Sequence, residues 1–220
     1  MKKVVIIGGK GTAVVVAEQM QDAIERYNYE VEILGFAFDD VPEDGKINGW
    51  PVLCGTREAY PKYKDDPDVY FIFAIYRSDL MKERTELLES YGIPLERFYT
   101  FIHPTALVTR SVKLGHGCIV LANVVINSNA VLGHHCYLMT GTIFGHDTTM
   151  GNYNFVAAHN CIGSSMHIGN LNFFGVNSNF RTYVKIGDNN IIGMGSNILH
   201  DIGNGCTVVG NPAKVIKIKE

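Results

Sequence analysis

Apolar residues along this chain follow two different periods, and the change falls near residue 101. Before it, short apolar runs alternate with helical stripes. Residues 4–7 read as a buried strand that runs into Gly8-Gly9-Lys10-Gly11, and residues 12–27 carry a helical stripe. Residues 31–36 form a second apolar run ending at Asp39-Asp40, and the stretch INGWPVLCG reads as a hairpin arm or short edge strand. A third buried run covers 69–75, and a helical pattern over 80–91 is stopped by Gly92 and Pro94. Strands alternating with helices predict a parallel, Rossmann-like α/β sheet over residues 1–100, with its ligand crevice at the carboxyl ends of the strands.

From residue 102 the helical period gives way to a period of six. Stepping by six from Ile102 through Val108, Leu114 and Val120 as far as Ile192 and Ile198 meets seventeen apolar residues without a break. Gly follows nine of them directly, and the position four after each is usually small, as at Ala106, Cys118, Ala130 and Ser178. A six-residue repeat marks a parallel β-helix, in which one coil cannot bury its apolar face alone but a stack can. The aliphatic-then-Gly form resembles the left-handed hexapeptide-repeat fold, which takes three hexapeptides, or eighteen residues, per triangular coil. Residues 101–220 are therefore expected to form a left-handed parallel β-helix with a C-terminal tail.

Residues eighteen apart should stack about 4.8 Å apart. One expected corner column runs Arg110, Ser128, His146, Ser164, Thr182, His200. A second runs Ala122, Thr140, Ala158, Val176, Met194, and a third runs His116, His134, Asn152, Asn170, Asp188. An inward column, Cys118, Cys136, Asn154, Asn172, Asn190, predicts an amide ladder with two buried thiols at its start. His146-Asp147 then lies on an outer corner near the middle of the stack. There an imidazole can take a proton, an adjacent carboxylate can fix its tautomer, and the Ser164 N–H one coil on can meet an oxyanion. The plain alternative is a polar corner with no chemistry.

The chain has 220 residues, 46% apolar and 19% charged, with a formal charge of −3, which suits a globular protein and gives no basic face for nucleic acid. The opening MKKVVIIGGK has too short an apolar run for a secretory signal, and no run is long enough for membrane insertion, so a soluble, cytoplasmic protein is expected. The five cysteines are scattered with no CxxC, which indicates neither a zinc clamp nor a disulfide framework.

These residues together resemble a family: the bacterial sugar acyltransferases of the left-handed β-helix class, in particular the sialic-acid O-acetyltransferase group and the bacillosamine-pathway group that acetylates a UDP-linked 4-amino sugar. The resemblance covers nearly the whole chain, including HPTA at 103–106, the coils, and VVGNPAK at 208–214. It implies an acetyl-CoA-dependent sugar N- or O-acetyltransferase that works as a homotrimer without a metal. It assigns His146 as general base, Asp147 as the residue that raises its basicity, and the Ser164 N–H to the thioester oxygen. It places Phe155, Val176 and Met194 along the coenzyme, with Lys214 near its phosphates. It also implies that residues 1–100 bind the nucleotide sugar, with Lys10, Gly11 and Thr12 at the diphosphate and Asp39 and Asp40 at the base. As bare motifs, the Gly loop also reads as a tight strand-to-helix turn, and Asp39-Asp40 as a solvated turn before Pro42. The chain departs from the family pattern at Thr12 and Phe155, where relatives carry His, and at Tyr76-Arg77, where they carry Gly and Asn or Asp.

Two other classes fit parts of the pattern. A γ-carbonic-anhydrase-like metal enzyme would draw on His116, His134, His135 and His159. A non-catalytic trimeric scaffold would tolerate loss of His146.

Overall fold

The computed structural model describes residues 1–218. The N-terminal part is a five-stranded sheet in the order β3-β4-β2-β1-β5. Its strands are β1 (Lys2–Ile7), β2 (Val31–Ala37), β3 (Lys46–Ile47), β4 (Trp50–Cys54) and β5 (Val69–Phe73). β1 lies between β2 and β5, parallel to both, and Val4–Ile7 are fully buried because layers cover both faces. β3 and β4 form the small antiparallel hairpin expected of INGWPVLCG, at the sheet edge.

Helix α1 (Thr12–Tyr27) buries Ala13, Val16, Ala17, Met20 and Ala23, an i, i+3, i+4 stripe, against one face of the sheet. It ends where Asn28 turns left-handed (φ 53°) and returns its N–H to the Ala23 carbonyl. Helices α2 (Ala59–Tyr63) and α3 (Met81–Glu89) contribute to the opposite apolar layer, with Ala59 and Leu88 buried beside Phe71 and Phe73.

From Phe101 the chain winds into a three-sided parallel β-helix of two-residue strands, each ending on an apolar residue of the six-residue series. The first face stacks Phe101–Ile102, Ile119–Val120, Tyr137–Leu138, Phe155–Val156, Phe173–Phe174 and Ile191–Ile192. The second begins at Leu107–Val108 and the third at Lys113–Leu114. Up to Ile198 every pairing between coils is parallel with an offset of eighteen, for example Ile143 on Cys161 and Phe144 on Ile162, and the last turn shortens it to sixteen, as at Ile191 on Thr207. The register follows from the residues: a slip by one would turn every inward aliphatic side chain outward. Corners need a residue at positive φ every six positions, and Asn123, Asn129, Asp147, Asn177 and Asn189 are among those that supply it.

The inward amide ladder forms as expected. Asn172 Nδ2 donates to Asn154 Oδ1 (3.0 Å) and Asn190 Nδ2 to Asn172 Oδ1 (3.0 Å). Cys118 and Cys136, both fully buried, donate their thiols to the Gly133 and Gly151 carbonyls at 3.1 Å. A hairpin of Cys206–Gly210 and Ala213–Ile218 closes the first face.

The α/β part sits on that first face. Ala17, Met20 and Met81 share one apolar cluster with Phe101, Ile119, Leu121, Tyr137 and Phe155. Polar contacts fix the joint. Gln19 of α1 accepts the Ala122 N–H (2.9 Å) and donates to Thr140 Oγ1 (3.2 Å). Buried His103, of the HPTA motif, lies 3.4 Å from the Asp22 carboxylate on α1.

Candidate active site

His146 occupies the corner between the second and third faces, and its side chain is 59% exposed. Its Nδ1 is 2.6 Å from Asp147 Oδ2, and Asp147 also accepts a hydrogen bond from Asn129 Nδ2 at 2.9 Å. Asn129 stands one coil below Asp147. Its donated bond, and then that of His146, hold the Asp147 carboxyl below the usual carboxylate range, so it stays ionised. Asp147 adopts φ 55°, a conformation Asp tolerates and the corner requires. With Nδ1 engaged, the imidazole leaves Nε2 as its free nitrogen.

The backbone at this corner is open. At the corner between the third and first faces, a side chain from the next coil caps each N–H. His116 N–H donates to His134 Nδ1 (3.0 Å), His134 N–H to Asn152 Oδ1 (2.7 Å) and Asn152 N–H to Asn170 Oδ1 (2.8 Å). The corresponding N–H groups of Ser128, His146, Ser164 and Thr182 have no acceptor among the described residues. Ser164 lies directly over His146, since the neighbouring Ser165 N–H donates to the His146 carbonyl at 2.9 Å. Gly145 lets the coils approach this closely: a Cβ there would meet the Ser164 nitrogen at 2.6 Å.

Val176 (47% exposed) and Met194 (81% exposed) lie on a different edge, the corner between the first and second faces, in the column that Gln19 caps at Ala122. Phe155 is placed differently. It is 6% exposed and stacked between Tyr137 (4.9 Å) and Phe173 (5.1 Å), with Tyr76 against it at 5.2 Å. Its ring faces are thus covered within the chain, and it seats the α/β part on the first face. Lys214 is exposed on the closing hairpin.

The crevice expected at the carboxyl ends of the strands is a cleft of about 920 Å³, lined by Lys10, Gly11, Thr12 and Asp39 among others. Gly11 caps α1 without a side-chain hydrogen bond and no acidic residue stands in the first turn, so the positive end of the helix dipole lies at the cleft that Gly11 and Thr12 line. Asp39 is held by Thr56, which gives its N–H to Oδ1 (2.8 Å) and its hydroxyl to Oδ2 (2.7 Å). Asp40 is not part of the lining and pairs at the surface with Lys10.

The histidines of the metal reading have structural places. His116 and His134 stack with ring centroids 5.8 Å apart, and His134 Nδ1 takes the His116 amide. His135 is buried against Phe98 and Tyr153, and burial lowers its pKa to about 4. Among the described residues no three His, Cys, Asp or Glu side chains are grouped to hold a metal, and no helix is long and apolar enough to cross a membrane.

Two residues of this site were absent from the sequence analysis. Asn129 was within reach, because it lies eighteen positions before Asp147. Thr56 was not, because it meets Asp39 across two loops that share no repeat.

No family model matches the chain. A stretch of 56 residues is 36% identical to the UDP-N-acetylbacillosamine N-acetyltransferase of Bacillus subtilis (strain 168). That stretch is 26% of this chain and 24% of that protein, so the likeness spans about a quarter of the curated relative. Two solved structures are similar over nearly their full length. PerB from Caulobacter crescentus, in complex with CoA and GDP-perosamine, shares 28% identity, covers 99% of this chain and 98% of its own, and superposes with a TM-score of 0.81. The acetyltransferase domain of PglB from Neisseria gonorrhoeae FA1090, in complex with acetyl coenzyme A, shares 27% identity, covers 98% and 99%, and has a TM-score of 0.83. With its unbroken coils, its α/β part on the first face and these likenesses, the chain is similar in fold over nearly its full length, and in sequence at 27–28% identity, to sugar acetyltransferases of the left-handed β-helix class.

Proposed function

We propose that this chain transfers an acetyl group from acetyl-CoA to the amine of an amino sugar carried on a nucleoside diphosphate. The observation that carries the reading is the Asn129–Asp147–His146 hydrogen-bonded chain at a corner whose backbone amides are uncapped. In the reaction, the amine nitrogen attacks the thioester carbonyl carbon while His146 Nε2 takes the amine proton. The carbonyl oxygen becomes an oxyanion and accepts from the Ser164 N–H. Collapse expels the thiolate, which recovers the proton from the imidazolium and leaves as free coenzyme A. Asp147 stays ionised throughout and stabilises the cationic ring. The coenzyme arm runs along Val176 and Met194, with Lys214 toward its phosphates. Lys10, Gly11 and Thr12 bind the diphosphate, and Asp39 lies on the side of the base, with Asp40 outside the lining. The curated Bacillus subtilis relative and a solved perosamine enzyme from Caulobacter crescentus are N-acetyltransferases by name, which favours an amine over a hydroxyl.

The test is thiol release from acetyl-CoA across a panel of UDP- and GDP-linked amino sugars, their hydroxy counterparts and the free sugars. Release with a nucleotide-linked amino sugar alone is the expected result. Release with none of the panel would sink the reading.

The geometry also supports a homotrimer whose sites are shared between chains. The nucleotide cleft lies in the part that covers the first face, whereas His146 stands on the corner opposite that face. A sugar held in the cleft therefore meets the His146 of a neighbouring subunit, not that of its own. In equal mixtures, a His146→Ala chain and an Asp39→Lys chain should together recover about a quarter of wild-type activity. Three-quarters of such trimers are mixed, and each mixed trimer holds one competent site in three. Each variant alone should stay near zero. A mixture as inactive as its components would place cleft and base in one chain.

A further inference from the structure

The cleft wall that faces α1 is formed by the end of β5 and by α3, and the sequence analysis gave it no role. Among the described residues, seven buried side-chain polar atoms have no hydrogen-bond partner. Three of them belong to residues that line this one cleft, Tyr76, Arg84 and Tyr91; Tyr76 turns its ring onto Tyr137 and Phe155 of the first face, and the Tyr91 hydroxyl lies beside Thr56. Buried polar groups are almost always paired, so Arg84, whose Nε has no partner among the described residues, calls for one at the cleft it lines. All three are donors. Burial pushes the phenols of Tyr76 and Tyr91 up, so both hydroxyls keep their protons. Tyr91 is only 8% exposed, and Arg57 lies over its ring at 5.8 Å.

The charges of the cleft point the same way. Its carboxylates are engaged, Asp39 by Thr56 and Glu58 by the Gly55 N–H. Of its cations, Lys10 is paired with Asp40 and Arg77 with Asp79. Arg57 donates to the Ser90 hydroxyl at 3.3 Å. No ion pair engages Arg84 among the described residues. Across the cleft stands the uncapped N-terminus of α1.

We propose that Arg84, with the Tyr91 hydroxyl beside it, grips the diphosphate of the nucleotide sugar from the side opposite the α1 N-terminus. This rests on the nucleotide-sugar reading above and adds a second jaw to it. The wall presents donors and an unpaired guanidinium, and it faces a helix terminus that also favours anions. A group rich in acceptors and carrying two negative charges satisfies both sides at once. A sugar hydroxyl would leave the guanidinium without a counter-charge.

Calorimetric titration of the full chain with UDP and GDP, and with uridine and guanosine, tests this. Wild-type protein should bind at least one diphosphate more tightly than its nucleoside. Arg84→Gln should weaken that diphosphate about 10- to 100-fold and leave the nucleoside unchanged, as expected for a charge-assisted hydrogen bond. Tyr91→Phe should weaken the diphosphate several-fold and leave the nucleoside unchanged; a merely structural hydroxyl would weaken both alike. Should Arg84→Gln fail to fold, Tyr91→Phe carries the test. Equal loss for diphosphate and nucleoside, or no loss in either variant, overturns the inference and leaves the nucleotide-sugar reading standing. A wild-type chain that binds neither diphosphate overturns both.

Discussion

Replacing His146 by Ala should lower turnover about 10²–10⁴-fold while the protein folds and assembles as before. The side chain is mostly exposed and its hydrogen bond is to Asp147, so its loss removes little packing. Corner geometry comes from elsewhere: from Gly145, which admits the coil above, and from the left-handed backbone at Asp147. The loss should therefore appear in kcat, measured as thiol release with both substrates saturating, alongside unchanged sedimentation. Full activity in a folded His146→Ala protein would end the assignment. Asp147→Asn should cost less. Asn tolerates the left-handed corner and can still orient the ring, but it cannot stabilise the imidazolium with a charge. Because the Asn129 and His146 hydrogen bonds hold the Asp147 carboxyl below its usual range, its own protonation should not shape activity near neutral pH.

Replacing Asn172 by Ala should destabilise the β-helix by about 3 kcal/mol. Asn190 gives both its backbone N–H (2.9 Å) and its Nδ2 (3.0 Å) to Asn172 Oδ1, and Asn172 Nδ2 serves Asn154 Oδ1. All three side chains are buried, so the variant strands two donors where water cannot replace the lost acceptor. Asn172→Leu should do no better, since it restores volume but not the acceptor. That comparison, read as the midpoint of thermal unfolding, separates the ladder from simple cavity formation. A Leu variant as stable as the wild type would mean that packing, not the amide ladder, holds these coils.

The β-helix was legible along the chain because every coil repeats the same environment. Each sixth residue faces the same dry interior, so burial imposes one chemical type on Ile102 and on Ile198 alike. The same arithmetic stacked Asn154 under Asn172 and set His146 on a corner, and it would have found Asn129 beneath Asp147. In the α/β part, the strands and helices also lay close to their predicted spans. β5 stops at Phe73 and α3 at Glu89, each two residues short of the apolar pattern, which continues into the packed residues beyond.

What no period announces is how the two parts meet. Gln19 reaches Thr140 across 121 residues of sequence, and Phe155 disappears beneath Tyr76 although it belongs to the same outward series as exposed Ile143 and Cys161. The sequence alone determined the coil, its register and the corner that carries His146, because those are repeated local contacts fixed by hydrophobic burial. Only the tertiary structure decided which face the α/β part covers, that the cleft lies opposite the candidate base, and that Arg84 lines that cleft with no ion pair among the described residues. Those follow from single contacts between distant segments, each made once, which leave no repeating mark in the order of residues.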